Sequence, residues 1–235
     1  MGTDMQIHEG AETERTGADT KARLLDVAEE LFATQGISNT SLRSITSAAD
    51  ANLASVNYHF GSKDALIREV FVRRIGPINE ERMRMLDAIE SGRGDRAPGL
   101  ADIVEAIVAP VMRLKRVDAR QQRMFLRLFS QVHSESEEIQ RLIFTQFHEV
   151  ASRFIPLLQS ALPNLDRTEL LWKIKFMIGA MVGSMLPMTG LTPFRALDGE
   201  GSDPESVLRR LIPFIVAGLS VSVPPGEDRA AERGA

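Results

Sequence analysis

Between Asn52 and Lys63 the chain gathers Ala54, Ser55, Asn57, Tyr58, His59 and Lys63, a run of small, hydrogen-bonding and cationic side chains. On a helix from Leu53 to Phe60, the apolar Val56 and Phe60 fall four residues apart and take the buried side. Ala54, Ser55, Asn57, Tyr58 and His59 then point outward. That face carries the chemistry needed to approach nucleic-acid base edges: short side chains that allow close contact, and amide and hydroxyl groups that pair with base donors and acceptors. Arg43 and Ser44, on the preceding segment, add a cation and a hydroxyl alongside. Lys63 stands in the first turn of the next helix, where its charge opposes the helix dipole, and a nearby phosphate would relieve that placement.

The elements that must position these residues follow from apolar spacing. Leu24, Leu25, Ala28, Leu31 and Phe32 repeat with helical period, with Asp19 or Thr20 as N-cap and Gly36 as stop. Thr40 is the expected cap of a short second helix in which Leu42, Ile45, Ala48 and Ala49 share a face. Asp50 and Ala51 make a turn, and Asn52 caps the third helix. Gly61 ends that helix, and Ser62 caps a fourth with Leu66, Ile67, Val70, Phe71 and Ile75 on its inner side. A short helix, a tight turn and a second short helix with a polar outer face form a helix-turn-helix, whose second helix fits the major groove. Gly76-Pro77 is expected to kink or break the fourth helix before Ile78 to Glu90 continue it, and 91–99 reads as a linker.

Beyond the linker the helical period recurs, through Ile103, Ile107 and Val111, then Met124, Leu128 and Val132, then Ile139, Ile143, Phe147, Val150 and Phe154. Two long apolar helices close the chain, around 170–185 and 207–219. No alternating strand pattern competes, so the expected fold class is all-α. The expected layout is a disordered tail over 1–18, a DNA-binding domain over 19–76, a larger helical domain over 77–223 and a second disordered tail over 224–235. A Pro/Gly-rich loop occupies 187–203.

Composition narrows the function. The net charge is −4, and Lys21 to Arg74 carry seven bases against six acids. DNA affinity must therefore come from local placement of a few cations and from dimerisation, not from bulk charge. Cysteine is absent, which removes disulfides, thiolate zinc sites and cysteine nucleophiles and makes the cytoplasm the expected home. The polar, acidic N-terminus lacks the form of a signal peptide, and the longest apolar run, 176–188, is too short to span a bilayer. No membrane association is expected. Enzymatic patterns are missing too: there is no phosphate-binding glycine loop and no nucleophile with its base in context. His133 and Glu137 make only two metal ligands, so neither a metal nor a cofactor is expected.

The segment TKARLLDVAEELFATQGISNTSLRSITSAADANLASVNYHFGSKDALI resembles the N-terminal domain of the TetR family. The resemblance rests on A-x-x-L-F-x-x-x-G in the first helix, T-S-L-R-S-I in the second and Y-H-F-x-S-K across the end of the third. It implies that Thr40, Tyr58, His59 and Lys63 contact phosphates and that Arg43, Ala54, Ser55 and Asn57 read bases. Two positions depart from the family pattern: Asn57 stands where an aromatic residue is usual, and Asp50 replaces the glycine of the turn, although aspartate can adopt the left-handed conformation. The resemblance further implies a homodimer acting on palindromic double-stranded DNA, most simply as a repressor released by a small-molecule effector.

The small-residue spacing of Gly179 and Gly183 permits close backbone approach, either in packing within the chain or, with Trp172 nearby and Leu208, Leu211 and Ile215 on the last helix, in a four-helix dimer interface, which the resemblance also implies. Met112, Phe125, Phe129, Phe147, Phe176 and Met177 are either core or lining of an effector pocket, and methionine suits an adaptable pocket. His133 and His148 are either polar handles for the effector or solvated. The N-Y-H-F-G-S-K variant followed by Gly76-Pro77 resembles a branch that includes sensors of fatty-acid-derived, acyl-type ligands. The rival reading is a helical interaction or lipid-carrier protein without a regulatory role at DNA. An activator is a further alternative.

Overall fold

The computed structural model describes residues 3–94, 96–113, 119–132, 134–185 and 203–221, with side chains for all of these except 3–16, 93 and 119–123. Among them are ten α-helices and no strand: α1 (Thr3–Gln35), α2 (Leu42–Ala48), α3 (Leu53–Phe60), α4 (Lys63–Arg93), α5 (Leu100–Arg113), α6 (Ala119–Val132), α7 (Glu137–Phe144), α8 (His148–Ala161), α9 (Arg167–Met185) and α10 (Pro204–Ser220). The chain divides into two compact units, one made of 1–83 with 114–151, the other of 84–113 with 152–235.

In the first unit, Leu24, Ala28 and Phe32 of α1 are wholly buried with Ile37, Ile45, Val56, Leu66, Val70 and Phe71. Leu128 and Val132 of α6 and Ile143 of α7 belong to the same core. The inner stripe of α1 is therefore covered on one side by α2 and α3 and on another by α6, a partner far away in sequence. Each wholly buried leucine or isoleucine contributes about 1.5–3 kcal/mol relative to exposure. A fragment ending near residue 76 would leave part of this apolar surface in water.

Three expectations about helix limits are corrected. First, α1 begins at Thr3, ahead of the expected cap at Asp19 or Thr20, because the Glu-, Ala- and Arg-containing sequence before them is free of proline and continues the helix. Second, α4 passes unbroken through Gly76-Pro77 to Arg93. Proline there removes one backbone donor at a cost of about 3 kcal/mol, which burial of Ile75 and Ile78 on either side offsets. Third, the stretch from Ile139 to Phe154 is not one helix: a single 3-10 turn, Thr145–Phe147, separates α7 from α8. Two side chains hold that turn, Thr145 Oγ1 donating to the Leu142 carbonyl at 2.7 Å and Asn79 Nδ2 donating to the Gln146 carbonyl at 2.7 Å. The tail after 223 and most of the loop over 187–203 lie outside the described residues.

In the second unit α10 packs on α5 and α9. All of Ile103, Val104, Ala106–Met112 on α5 is buried, so this helix is the unit's centre. Arg113 ties α5 to α10 through Glu205 at 3.1 Å and to its own helix through Glu105 at 3.2 Å. Donating to the Glu205 carboxylate raises the Arg113 pKa above its ordinary value. Lys173 of α9 is buried and donates to the carbonyls of Gly218 and Val221 at 2.8 and 2.6 Å, placing a cation at the negative end of α10. Arg153 of α8 binds Asp87 at 2.6 Å and Glu90 of α4.

Candidate nucleic-acid interface

The surface formed by α2 and α3 is built by local rules. Gly36 ends α1 in the left-handed region at φ +89°, and Ser41 caps α2, its hydroxyl accepting from the Ser44 N–H at 3.0 Å while the Ser44 hydroxyl accepts from the Ser41 N–H at 3.1 Å. Asp50 makes the turn at φ +48° and is the one non-glycine residue with positive φ among the described residues. Asn52 caps α3, accepting from the Ser55 N–H at 2.8 Å, and Gly61 closes it at φ +76°. The turn chemistry read from Asp50 and Asn52 is thus what the backbone uses.

Two helices held this way bury Ile45, Ala49, Val56 and Phe60 and leave Arg43, Ala54, Asn57 and Tyr58 exposed. Tyr58 is 86% exposed, an extreme value for so large a side chain, and its ring meets His59 edge-on with centroids 5.0 Å apart. The exposed phenol and amide of α3 and the exposed guanidinium of α2 are groups that donate to phosphates and base edges. Ser44 and Ser55 are half-buried, and their hydroxyls are already engaged in the two caps, Ser55 Oγ donating to Asn52 Oδ1 at 3.0 Å.

Two of the expected phosphate ligands have internal roles. Thr40 is buried, and its hydroxyl donates to the Gly36 carbonyl at 2.7 Å. It fastens the end of α1, and Ser41 takes the capping position expected of it. Lys63 is half-buried with Nζ 2.8 Å from the Ile37 carbonyl. The odd placement of its charge is relieved there by a backbone acceptor at the end of α1.

An ionic network absent from the sequence reading fixes α1 to α4. Glu29, 2% exposed, accepts from Arg73 at 2.5 Å and Arg74 at 2.7 Å, while Arg73 also reaches Asp26 at 2.7 Å. Burial pulls the Arg73 pKa down, and the hydrogen bonds and charges of Glu29 and Asp26 more than offset it, so the net shift is upward. The Arg73 Nε is buried without a hydrogen-bond partner. Its sequence signal was the coincidence of acids at 26 and 29 with bases at 73 and 74. Farther along α4, burial pushes the Arg82 guanidinium down to about 10, and its Nη1 donates to Asn79 Oδ1 at 3.1 Å.

The residues expected to line an effector pocket are distributed over both units. Phe125, Phe129 and Phe147 form a ring cluster in the first unit, with centroids 5.8 and 6.2 Å apart, packed against its core. Met112 and Met177 are buried in the second unit. Phe176 is 65% exposed on α9 and so lies on an outer face. His148 is exposed at the start of α8, and His133 falls outside the described residues. An open groove of about 610 Å³ among the described residues is lined by Arg84, Met85, Ile89, Arg96, Pro98 and Asp102 among others and includes none of the expected residues.

The expected dimer residues separate into two groups. Trp172, Gly179 and Gly183 lie on the exposed face of α9 together with Phe176, and the Trp172 and Phe176 rings are 5.8 Å apart. Leu208, Leu211 and Ile215 are buried against the unit's own core. On α10 it is Phe214, 69% exposed, that faces outward.

Comparison with known proteins places this geometry in a family. Residues 24–70 match the family described as bacterial regulatory proteins, tetR family, and 105–218 match the tetracyclin repressor-like C-terminal domain. The HTH-type transcriptional regulator AcrR of Shigella flexneri is 37% identical over 59 residues, which cover 25% of this chain and 27% of that protein. The match thus spans about a quarter of that relative's length. Among solved structures, a TetR-family transcriptional regulator from Bordetella parapertussis 12822 aligns over 87% of this chain and 98% of its own, with TM-score 0.59 and 17% identity. The fatty acid degradation regulator FadR from Bacillus halodurans aligns over 86% and 97%, with TM-score 0.52 and 15% identity; both show the shared fold. With the helix-turn-helix segment and most of the helical remainder each matched by a TetR model, this chain belongs to the TetR family of transcriptional regulators.

Proposed function

We propose that this protein is an effector-responsive repressor that binds a palindromic operator as a homodimer. The observation that carries the reading is the outer face of α3, where Asn57 and Tyr58 stand exposed on a short helix fixed at both ends by Asn52 and Gly61. Two such helices, one per protomer, enter successive major grooves about 34–36 Å apart. Tyr58 and His59 hold phosphates, while Arg43, Ala54 and Asn57 read bases. Trp172, Phe176, Gly179 and Gly183 of α9 and Phe214 of α10 form the dimer contact, a reading supported by the exposure of the three large aromatic side chains in the protomer.

The effector is a small hydrophobic, acyl-type molecule. Met112, Met177 and Met185, buried in the second unit, supply adaptable apolar surface for it. Release from DNA follows when the effector binds the DNA-incompetent conformation more tightly than the competent one; equal affinity for both shifts nothing.

The test is selection of the full chain on a random double-stranded DNA pool at near-physiological salt, with sequencing of the retained fraction. Enrichment of a palindrome supports the reading and provides the operator. Retention no better than a non-binding control refutes it.

A further inference from the structure

The turn between α1 and α2 is held from a distance. Gly36 takes the left-handed conformation, and the N–H groups of Ile37 and Ser38 that follow converge on one anion, the Glu135 carboxylate, in the turn between α6 and α7. Ile37 N–H donates to Oε1 at 2.7 Å, Ser38 N–H donates to Oε2 at 3.1 Å, and the Ser38 hydroxyl donates to the same oxygen. Successive backbone N–H groups after a left-handed residue form an anion-binding nest, and charge-assisted bonds of this kind are about twice as strong as neutral ones. Glu135 is itself anchored: its N–H donates to the Val132 carbonyl at 3.2 Å, and its carbonyl accepts from Gln140 Nε2 at 3.0 Å. On the other side of the turn, the Ile37 carbonyl accepts from Lys63, and the Gly36 carbonyl accepts from Thr40 immediately before the cap of α2.

We infer that Glu135 is a positioning residue for DNA binding: its carboxylate fixes the turn that launches α2, and thereby the face presented by Arg43 and α3. It acts through the turn, with no contact to DNA. The inference rests on the DNA-binding reading above, and it adds that the helix-turn-helix is completed by a residue nearly a hundred positions downstream. Without the carboxylate the turn fluctuates in the free protein and must be ordered on binding. Reordering the turn costs roughly tenfold in each half-site, so Glu135→Ala, present in both protomers, should weaken operator affinity roughly a hundredfold.

The experiment uses the full chain and the palindrome recovered from the random pool. Operator Kd is measured against salt for wild type, Glu135→Ala, Glu135→Gln and Ser38→Ala, together with amide exchange of residues 37–39 in the free and DNA-bound protein. The expected result is a roughly hundredfold weaker operator Kd for Glu135→Ala, about tenfold per half-site, with an unchanged salt slope and a smaller loss for Ser38→Ala. Glu135→Gln, which keeps an acceptor oxygen, should fall in between. Exchange at 37–39 should rise in free Glu135→Ala and return to the wild-type level on DNA. A merely stabilising carboxylate would lower the melting temperature and leave Kd alone, which overturns the inference. Tighter binding with a changed salt slope also overturns it, because Glu135 would then act by repelling phosphates. If wild type enriches no palindrome, the DNA-binding reading falls and this one with it; if wild type binds and Glu135→Ala binds equally well, only this one falls.

Discussion

The ionic network between α1 and α4 makes a prediction whose sign depends on which partner is removed. The Glu29 side chain retains 3% of its exposure, whereas Arg73 and Arg74 retain 28% and 24%. The carboxylate is therefore the desolvated member, and the guanidinium groups have a path to water. Replacing both arginines by alanine strands a buried charge, for which the cost is about 3–5 kcal/mol. Glu29→Ala removes that charge and frees two partly exposed cations to solvate, so only the charge-assisted hydrogen bonds are lost, about 1.5–3 kcal/mol. Converting Glu29, Arg73 and Arg74 together to leucine should recover much of the loss, because apolar packing often matches or exceeds a buried ion network. Urea unfolding of the full chain at one fixed protomer concentration measures all three, with the slope on denaturant serving to show that the unfolded state is unchanged. The reasoning is refuted if the arginine double variant costs less than about 1 kcal/mol, or if Glu29→Ala costs more than it does.

The left-handed turn at Asp50 should tolerate Asp50→Gly with a change of under about 1 kcal/mol, while Asp50→Val loses about 1–2 kcal/mol because a β-branched residue is strained there; thermal melts of the pair check this. Asn57→Ala should relax preference at one base position of each half-site by about 1–3 kcal/mol without altering the salt slope, as selection on the variant would reveal. Phe176→Glu, on a face exposed in the protomer, should leave helix content intact and weaken dimerisation by at least about 2 kcal/mol in sedimentation velocity; an unchanged dimer would remove α9 from the interface. The hydrogen bonds from Ser206 hold the Asp203 carboxyl below its ordinary value. Its capping contribution is therefore present above the unfolded value, and it is lost as pH falls through the lower folded one. Amide exchange at the start of α10 should accelerate in acid, and in Asp203→Ala that acceleration should already be present at neutral pH.

The parts of the site legible in the sequence are those decided within a few residues. Gly36, Asp50, Asn52, Gly61 and Ser62 act through their own backbone geometry or through bonds to the next turn, and all five stand where the sequence placed them. Thr40 and Ser41 are both good capping residues by type. The choice between them is made by burial of Thr40, which no local pattern records. On α10 the apolar residues 207, 208, 211, 212, 214, 215 and 219 surround the helix, so periodicity alone gives no phase. Packing on α5 selects Leu208, Leu211 and Ile215 for the interior and turns Phe214 outward. Pro77 reads as a break because its local cost is large, yet tertiary burial on both sides outweighs it.

The boundary between domains illustrates the same distinction between local and distant causes. Sequence resemblance ends the DNA-binding module near residue 70 and starts the C-terminal domain at 105. The physical unit around α1 instead recruits Leu128, Val132, Ile143 and the Glu135 carboxylate from within that second match. Because α1 packs against α2 and α3 on one side and against α6 on another, any displacement of α6 must either expose apolar surface on α1 or carry α1 with it. Exposure costs about 25 cal/mol for each Å² of apolar surface, so co-movement is the cheaper response once more than a side chain or two is involved. The segment from α6 to α7 is thus mechanically part of the DNA-reading unit. An event in the C-terminal half that shifts α6 therefore loads the base of the helix-turn-helix through α1, and through the Glu29 network it loads α4 as well.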